Sequence, residues 1–308
     1  MNINDTGSDS VKIGFIGAGR LGRALAWSFA ARGLTVHRVA SQLEQDARSI
    51  VEKAHGCLIV TPQQVADECD VIFVTTPDDT IKPIADSIEW RPGTGVVHCS
   101  GATEVSALSK AASDSALIGG FHPMQTFGDP EAAARTLPGC VITIEASGEL
   151  LAFLSNVSER LGCRVNQLPP GARGRYHAAA AYASQYVNVI LAEAVRIWAS
   201  WGASEAAALQ ALLPVVRGTV SSIETAGLAK GMPGPVSRGD AGTVEKHLAA
   251  LATVDNPTID LYRELCLRSV PLAEIAGGID AETSDRIRKV LARSSFKQRP
   301  PFFDGVHY

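Results

Sequence analysis

The sequence lacks several features that mark particular classes of protein. Its 28 Lys and Arg residues are outnumbered by 32 Asp and Glu residues, and the net charge of -4 gives no electrostatic reason to expect a nucleic-acid partner. The first ten residues are polar and have no apolar core, so they do not resemble a signal peptide. No apolar run reaches the length of a membrane span, and we expect a cytoplasmic protein without membrane association.

The cysteines lack the spacing of a disulfide framework or a metal site. No two of them form a CxxC pair, and they are scattered along the chain: Cys57, Cys69, Cys99, Cys140, Cys163 and Cys266. This distribution favours reduced, mostly buried thiols. Scattered His and Cys residues likewise give no metal-ligand spacing, so no bound metal is expected.

What the sequence does contain is a glycine-rich motif near its start. The short apolar run 11–16 leads into Gly17-Ala18-Gly19-Arg20-Leu21-Gly22, and an alanine-rich helical pattern follows. Gly17 permits a tight turn, Gly19 lets a pyrophosphate approach the backbone, and Gly22 lets the helix pack closely on the strand. Because strand, turn and helix stand in the required order, the motif favours dinucleotide binding over an ordinary Gly-rich turn.

More apolar strands follow at regular intervals. They are predicted at 34–40, 70–76, 95–100, 116–121, 140–144 and 163–167. The segment 70–76 is an apolar run of the kind that is buried on both faces of a parallel sheet. Strands that alternate with helical segments predict an α/β fold, a Rossmann doubly wound parallel sheet over residues 11–168.

The composition changes after residues 169–171, which read Pro-Pro-Gly. Residues 178–201 are rich in Ala and contain no Pro or Gly, which predicts one long helix. Further helical patterns occur at 204–228, 240–252, 256–270 and 280–294. We therefore expect an all-helical domain for substrate binding or dimerisation over residues 169–298, with flexible tails at 1–10 and 299–308.

The end of the second strand bears on the form of the cofactor. NAD-preferring folds usually place Asp or Glu there to bind the ribose 2′-OH, but residues 39–42 read VASQ. Ser41 is suited to bind a 2′-phosphate. Nearby positive charge is available from Arg20, Arg38 and Arg48. This favours NADP(H) over NAD(H), although Glu44 is close enough to keep NAD(H) open.

Two later turns also follow strand ends. Thr75-Thr76-Pro77-Asp78 comes after one strand, and Ser100-Gly101 comes after the next. Because open α/β sheets bind ligands at the carboxyl ends of their strands, we expect these turns to line a nicotinamide pocket. The alternative is turn and cap chemistry, in which Asp78 or Asp79 caps the following helix.

Several strings together resemble a bacterial family. Besides the glycine motif they are HCSGA at 98–102, HPMQTF at 122–127, YHAAA at 176–180 and GPVSRGD at 234–240. Over roughly residues 11–270 the chain resembles Rossmann-like proteins with a C-terminal helical domain of formerly unknown function. That family is similar to the 6-phosphogluconate, 3-hydroxyisobutyrate and prephenate dehydrogenases, ketopantoate reductase and pyrroline-5-carboxylate reductase.

The resemblance implies an NAD(P)-dependent oxidoreductase. It also implies a C-terminal domain like that of 6-phosphogluconate dehydrogenase, and a homodimer formed through that domain. Some members of the family are alternative ketopantoate reductases. The resemblance does not fix the substrate of this chain.

Hydride transfer to a carbonyl needs a proton donor for the developing alkoxide. Related dehydrogenases use a Lys on the first long helix after the linker, but this chain has no Lys between Lys110 and Lys230. We therefore expect His177 to replace it. At about 100° per residue, Ser184 and Asn188 share its helix face, which predicts a catalytic polar stripe. The alternative is a polar edge that faces solvent or a dimer partner.

His122 is the second candidate donor. It follows an apolar strand, so it is expected at the carboxyl edge of the sheet. Its His-Pro-Met string also resembles prephenate dehydrogenases. The alternative is a structural imidazole that binds the loop 125–128.

The segment 234–240 carries the candidate substrate ligands. Arg238 is suited to bind a carboxylate through two hydrogen bonds, and Ser237 to help orient the substrate. The alternative for Arg238 is a solvated or interface arginine. Asp240 is expected to be the N-cap of the next helix.

These observations lead to several functional hypotheses. The first is an NADPH-dependent enzyme that reduces a small-molecule 2-oxo acid, with ketopantoate as the best single candidate. The alternatives are a cyclic imine reductase, a prephenate-like dehydrogenase and a non-catalytic NADP(H) sensor.

Overall fold

The computed structural model describes residues 11–292, and the tails predicted at 1–10 and 299–308 lie outside the described residues. The chain divides into two compact units, of which unit 1 ends at Gln185 and unit 2 begins at Tyr186. The segment 169–185, which we had assigned to the helical domain, therefore groups with the sheet.

An eight-stranded sheet forms the centre of unit 1, in the order β3-β2-β1-β4-β5-β6-β7-β8. The strands are β1 (Ile13–Ile16), β2 (Val36–Ala40), β3 (Leu58–Ile59), β4 (Val71–Val74), β5 (Gly95–His98), β6 (Leu117–Pro123), β7 (Val141–Glu145) and β8 (Arg164–Gln167). Strands β1 to β6 pair in parallel, β7 pairs with β6 in the antiparallel sense, and β8 is parallel to β7. This is the predicted doubly wound sheet with two reversed strands added at one edge.

Helices accompany the strands of unit 1. They are α1 (Arg20–Ala31), α2 (Glu44–Lys53), α3 (Pro62–Glu68), α4 (Asp78–Asp86), α5 (Ser109–Ser113), α6 (Pro130–Thr136), α7 (Gly148–Arg160) and α8 (Arg173–Ala183). Val71 and Phe73 join one buried apolar cluster, whereas Ile72 and Val74 join a second. Since alternate residues of a strand face opposite sides, the sheet has a packed core on each face.

Unit 2 is all-helical in its described part. Its helices are α9 (Gln185–Ala199), which begins at the boundary, α10 (Glu205–Lys230), α11 (Ala241–Leu251), α12 (Asn256–Ile275) and α13 (Ala281–Ala292). Helices α11, α12 and α13 share a buried core that includes Val244, Val270 and Ile287. In contrast, α9 has no buried residue and α10 has only Ala208.

Helix α10 corrects one expectation from the sequence. It is long and apolar enough to cross a membrane, and only 6% of its most apolar window is buried. We had found no run of that length because Arg217 and Glu224 interrupt it in the sequence. Length and composition are weak evidence of a membrane span, since the core helix of a soluble protein meets the same criteria.

The single helix predicted at 178–201 is wrong. Helix α8 ends at Ala183, and Ser184 has a φ of -129° and a ψ of -80°, outside the helical region. The Ser184 hydroxyl donates to the Ala180 carbonyl oxygen at 2.8 Å, a side-chain bond that competes with helix continuation. Asn188 lies on α9, beyond this break, so the polar stripe of His177, Ser184 and Asn188 does not exist as one helix face.

Candidate functional site

The turn after β1 is shaped by three glycines. Gly17 has a φ of +107°, and a Cβ there would lie 2.8 Å from the Thr75 carbonyl carbon. A Cβ on Gly22 would lie 2.5 Å from the Gly17 carbonyl oxygen, whereas one on Gly19 would meet nothing within 4 Å. The glycines therefore serve a strained turn, an open approach to the backbone and close helix packing, as the sequence predicted.

The N-terminus of α1 is open to an anion. Gly19 is the N-cap, and within the described chain no side chain caps this helix and no acidic residue occupies its first turn. Ala18 is buried, Leu21 is half-buried and Arg20 is exposed. Because the first amide groups and the helix dipole attract negative charge, this turn fits a pyrophosphate.

The end of β2 offers fewer cations than the sequence suggested. Ser41 follows the strand directly, and its hydroxyl accepts the Leu43 amide at 3.3 Å. The Arg38 Nε donates to Glu68 at 2.5 Å, which commits this side chain elsewhere. Arg48 pairs with Glu44 at 2.7 Å on the surface, so this second arginine also has a carboxylate partner.

The turn after β4 contacts the glycine turn. The Thr75 hydroxyl donates to the Gly17 carbonyl oxygen at 2.7 Å, so the two turns are joined directly. Pro77, rather than Asp78, is the N-cap of α4, and Asp78 lies exposed in the first helical turn. Within the described chain, the buried hydroxyl of Thr76 has no hydrogen-bond partner. Neither Asp78 nor Asp79 is therefore the capping residue that the alternative interpretation required.

The turn after β5 brings the two candidate histidines together. A Cβ on Gly101 would lie 2.5 Å from Cδ2 of His177 and 2.9 Å from Nε2 of His122. The ring centroids of His122 and His177 are 6.1 Å apart. His122, on β6, is partly buried, and His177, on α8, is exposed. Only glycine at position 101 gives both imidazoles this space.

Tyr176 completes this cluster. Its hydroxyl oxygen and Nδ1 of His122 share a hydrogen bond of 2.7 Å, and the two rings meet edge to face. Burial lowers the pKa of His122 to about 4, with the charges of His177 and Arg173 adding to the effect. Burial also raises the pKa of Tyr176. At neutral pH His122 is therefore an uncharged imidazole beside a protonated phenol.

Arg173 anchors the helix that carries Tyr176 and His177. Its side chain is fully buried, its Nε donates to Glu145 at 2.6 Å, and its Nη1 donates to the Ser100 carbonyl oxygen at 2.7 Å. A Cβ on Gly120 would lie 1.7 Å from Nη2 of Arg173, so only glycine leaves room for the guanidinium. Arg173 thus ties the first turn of α8 to the ends of β5 and β7.

Arg173 was not predicted from the sequence, and Tyr176 entered the prediction only within the string YHAAA at 176–180. An arginine two residues beyond a Pro-Pro-Gly break has the appearance of a solvated linker charge. The signal available was its combination with the partly buried Glu145 and with Gly120, which are distant in sequence.

Other residues near the cluster of His122, Tyr176 and His177 have structural partners. The Ser100 hydroxyl accepts the amides of Ala102 and Thr103, which is turn chemistry rather than a free ligand. His98 is fully buried on β5, and burial lowers its pKa to about 3. Burial raises the pKa of the Cys99 thiol, which disfavours the thiolate that a nucleophile requires.

The candidate substrate ligands of unit 2 lie on the 3-10 turn Val236–Arg238. The Ser237 hydroxyl donates to the Gly234 carbonyl oxygen at 2.8 Å, and Arg238 is exposed. Asp240 is the N-cap of α11, as predicted, and accepts the Thr243 amide at 2.9 Å. The carboxylate role of Arg238 stays a prediction.

Two family models match separate parts of the chain. Residues 12–101 match the family described as NADP oxidoreductase, coenzyme F420-dependent. Residues 140–269 match a domain of unknown function, DUF2520. The combination agrees with the resemblance inferred from the sequence strings. No curated protein matches the chain at a significant level.

Solved structures share the fold over most of the chain. The protein BF3122 from Bacteroides fragilis, which carries the name of an NADP oxidoreductase, is 24% identical, with a TM-score of 0.66 over 86% of this chain and 100% of its own. The protein TM1727 from Thermotoga maritima is 23% identical, with a TM-score of 0.72 over 85% and 98%.

A third similar structure is a reductive aminase from Aspergillus terreus in complex with NADPH and ethyl-5-oxohexanoate. It is 18% identical, with a TM-score of 0.63 over 91% of this chain and 99% of its own. At these identities the likeness shows the fold, a Rossmann-like α/β domain followed by an all-helical domain. Two of these three neighbours are named as NADP oxidoreductases or were solved with NADPH.

Proposed function

We propose that this chain is an NADPH-dependent oxidoreductase that reduces the carbonyl group of a small 2-oxo acid. The observation that carries the proposal is the cluster of His122, Tyr176 and His177 around Gly101. It stands at the carboxyl edge of the sheet, the same edge that bears the open glycine turn. A dinucleotide turn and a group of proton-transfer side chains on one edge are what hydride transfer to a carbonyl requires.

The residues present fit the cofactor. Gly17, Gly19 and the first turn of α1 would hold the pyrophosphate, because their backbone is open and no side chain competes for the amide groups. Ser41 and the exposed Arg20 would bind the 2′-phosphate. When bound, NADPH supplies the hydride.

His177 would donate the proton to the substrate oxygen. It is the exposed member of the cluster, so a substrate has access to it. His122 would orient His177, and its lowered pKa keeps the His122 imidazole uncharged at neutral pH. The Tyr176 hydroxyl fixes the ring of His122 through its 2.7 Å hydrogen bond.

The 2-oxo acid is favoured by Arg238, whose exposed guanidinium suits a carboxylate. Ketopantoate is the best single candidate, and it comes from the family resemblance. A second candidate is reduction of a cyclic imine. It is favoured by the likeness to the reductive aminase and to a pyrroline carboxylate reductase from Plasmodium falciparum with NADP bound.

The proposal includes a homodimer formed through unit 2. Helix α10 leaves Val215 63% exposed and Leu228 66% exposed, and α9 leaves Val189 and Ile190 about half exposed. Apolar surface of this extent on two adjacent helices of the chain is typical of a subunit interface. Light scattering at micromolar concentration should give twice the chain mass. A monomer alone would contradict the dimer.

The test of the activity is consumption of NADPH and NADH with a panel of substrates. The panel holds ketopantoate, other 2-oxo acids and cyclic imines, with prephenate assayed in the oxidative direction. Oxidised coenzyme F420 is included as a hydride acceptor because the matching family model names this coenzyme. Turnover of one acid with NADPH would support the proposal, and turnover of imines alone would move it to the second candidate. NADPH binding without any turnover would favour a sensor.

A further inference from the structure

Two cysteines of unit 1 lie side by side although they are far apart in sequence. The sulfur atoms of Cys140 and Cys163 are 3.6 Å apart. Each cysteine directly precedes a strand, β7 and β8, and the first paired residues of these strands are Val141 and Arg164. The Arg164 amide donates to the Cys140 carbonyl oxygen at 2.9 Å, so the two cysteines continue the same register.

This register suits a disulfide bond. Neighbouring strands lie about 4.8 Å apart, and disulfides join residues whose Cα atoms are roughly 4.4–6.8 Å apart. The adjacent backbone is also paired, since the Gly139 amide donates to the Gly162 carbonyl oxygen at 2.8 Å. Closing the bond therefore requires the sulfur atoms to approach each other, without a change of strand pairing.

The two thiols differ in accessibility and acidity. Cys140 is partly exposed, and the hydrogen bond with Cys163 lowers its pKa. Cys163 is buried, and its pKa is raised by the hydrogen bond with Cys140 and by burial. Burial raises the pKa of the other four thiols of the chain, those of Cys57, Cys69, Cys99 and Cys266. Cys140 is thus the thiol suited to react first.

We propose that Cys140 and Cys163 form a reversible redox pair that a hydroperoxide closes to a disulfide. The Cys140 thiolate attacks one peroxide oxygen, the O–O bond breaks, and with hydrogen peroxide the departing hydroxide takes up a proton to give water. The resulting sulfenic acid is attacked by the sulfur of Cys163, which loses its proton. The S–S bond forms, a second water leaves, and the two electrons of the thiols end on the peroxide oxygens.

The pair is placed beside the candidate site. Strand β7 begins immediately after Cys140 and carries Glu145, the acceptor of Arg173. The same strand pairs Thr143 with His122. A covalent link at the start of β7 would fix the strand next to the cluster, although the redox pair is proposed independently of the reaction catalysed.

The experiment treats the full-length reduced chain with stoichiometric hydrogen peroxide and blocks the remaining thiols with N-ethylmaleimide. Intact mass measured before the blocking step should fall by about two daltons relative to a reduced sample, for the two hydrogens lost. Peptide mapping should find a peptide that joins Cys140 to Cys163, and dithiothreitol should restore both thiols. Cys140→Ser and Cys163→Ser should each abolish the link, whereas the control Cys57→Ala should retain it.

Cys163→Ser gives a second readout, because sulfenic acid on Cys140 would then accumulate and react with dimedone. Failure to find the link in folded wild-type protein would overturn the proposal. So would over-oxidation of Cys140 beside a free Cys163. Either result is distinguishable from failure of the proposed function, since no readout depends on turnover.

Discussion

Two regions of the same sheet edge in unit 1 are built in opposite ways. The turn at Gly17–Gly22 works through the absence of side chains, since each missing Cβ makes room for backbone, helix or ligand. The corner at α8 works through long side chains, with Arg173, Tyr176 and His177 from one helix meeting His122 from a strand. The difference teaches that a site built from backbone is local in sequence, whereas one built from side chains requires several distant segments to fold together.

The largest expected effect comes from breaking the corner at Arg173. Arg173→Leu leaves Glu145 and the Ser100 carbonyl oxygen without their buried partner, which should lower the free energy of unfolding by about 3–5 kcal/mol. Urea denaturation measures the change. Arg48→Leu is the control, because Arg48 pairs with Glu44 on the surface and its loss should change little. Equal losses of stability in the two variants would show that Arg173 does not anchor α8.

The next effect concerns catalysis at the same corner. His177→Ala should lower kcat about 10²–10⁴-fold, the usual contribution of a general acid, with NADPH affinity nearly unchanged. His122→Ala should lower kcat by less, since His122 acts by orienting His177. His55→Ala, at an exposed position of unit 1, serves as the control. Unchanged turnover in His177→Ala would show that the cluster has a structural role and not a catalytic one.

Acid should destabilise the corner before it affects the glycine turn. The folded pKa values of His122, about 4, and of His98, about 3, both lie below the ordinary value of 6.5. Between these pH values the unfolded chain therefore binds more protons than the folded chain. The stability that the two uncharged imidazoles contribute is fully present above pH 6.5 and falls as the pH drops towards 4.

At about 1.4 kcal/mol per pKa unit, His122 alone accounts for a loss on the order of 3 kcal/mol. The measurement is urea denaturation at a series of pH values. His122→Gln should reduce the slope of the profile between pH 6.5 and 4 by about half, because His98 still contributes in this range. A profile that keeps its wild-type slope in this variant would contradict the assignment.

The smallest effects come from the glycine turn, where two alanine substitutions should separate fold from binding. Gly22→Ala places a Cβ 2.5 Å from the Gly17 carbonyl oxygen and should cost about 1–3 kcal/mol of stability. Gly19→Ala meets nothing within 4 Å, so stability should hold while NADPH affinity falls. Calorimetry and NADPH titration measure the two quantities. Unchanged NADPH affinity in Gly19→Ala would show that the pyrophosphate binds elsewhere.

The sequence predicted the fold and the glycine turn in detail because both depend on local signals. It named His122 and His177 as rival donors, and the structure places them together at Gly101. The polar stripe with Ser184 and Asn188 failed because a helical wheel assumes an unbroken helix, and Ser184 breaks it. The substrate, the role of Arg238 and the dimer stay predictions.

The sequence by itself determined a strand–turn–helix for a dinucleotide, an alternating α/β unit and a helical unit after it. These follow from periodicity and from glycines whose neighbours in sequence are also their neighbours in space. Only the tertiary structure decided that Arg173 is buried against Gly120, that Tyr176 holds His122, and that Cys140 meets Cys163. Each of these contacts depends on strand order and register, which bring together residues separated by 23 to 54 positions, and no local pattern records that pairing.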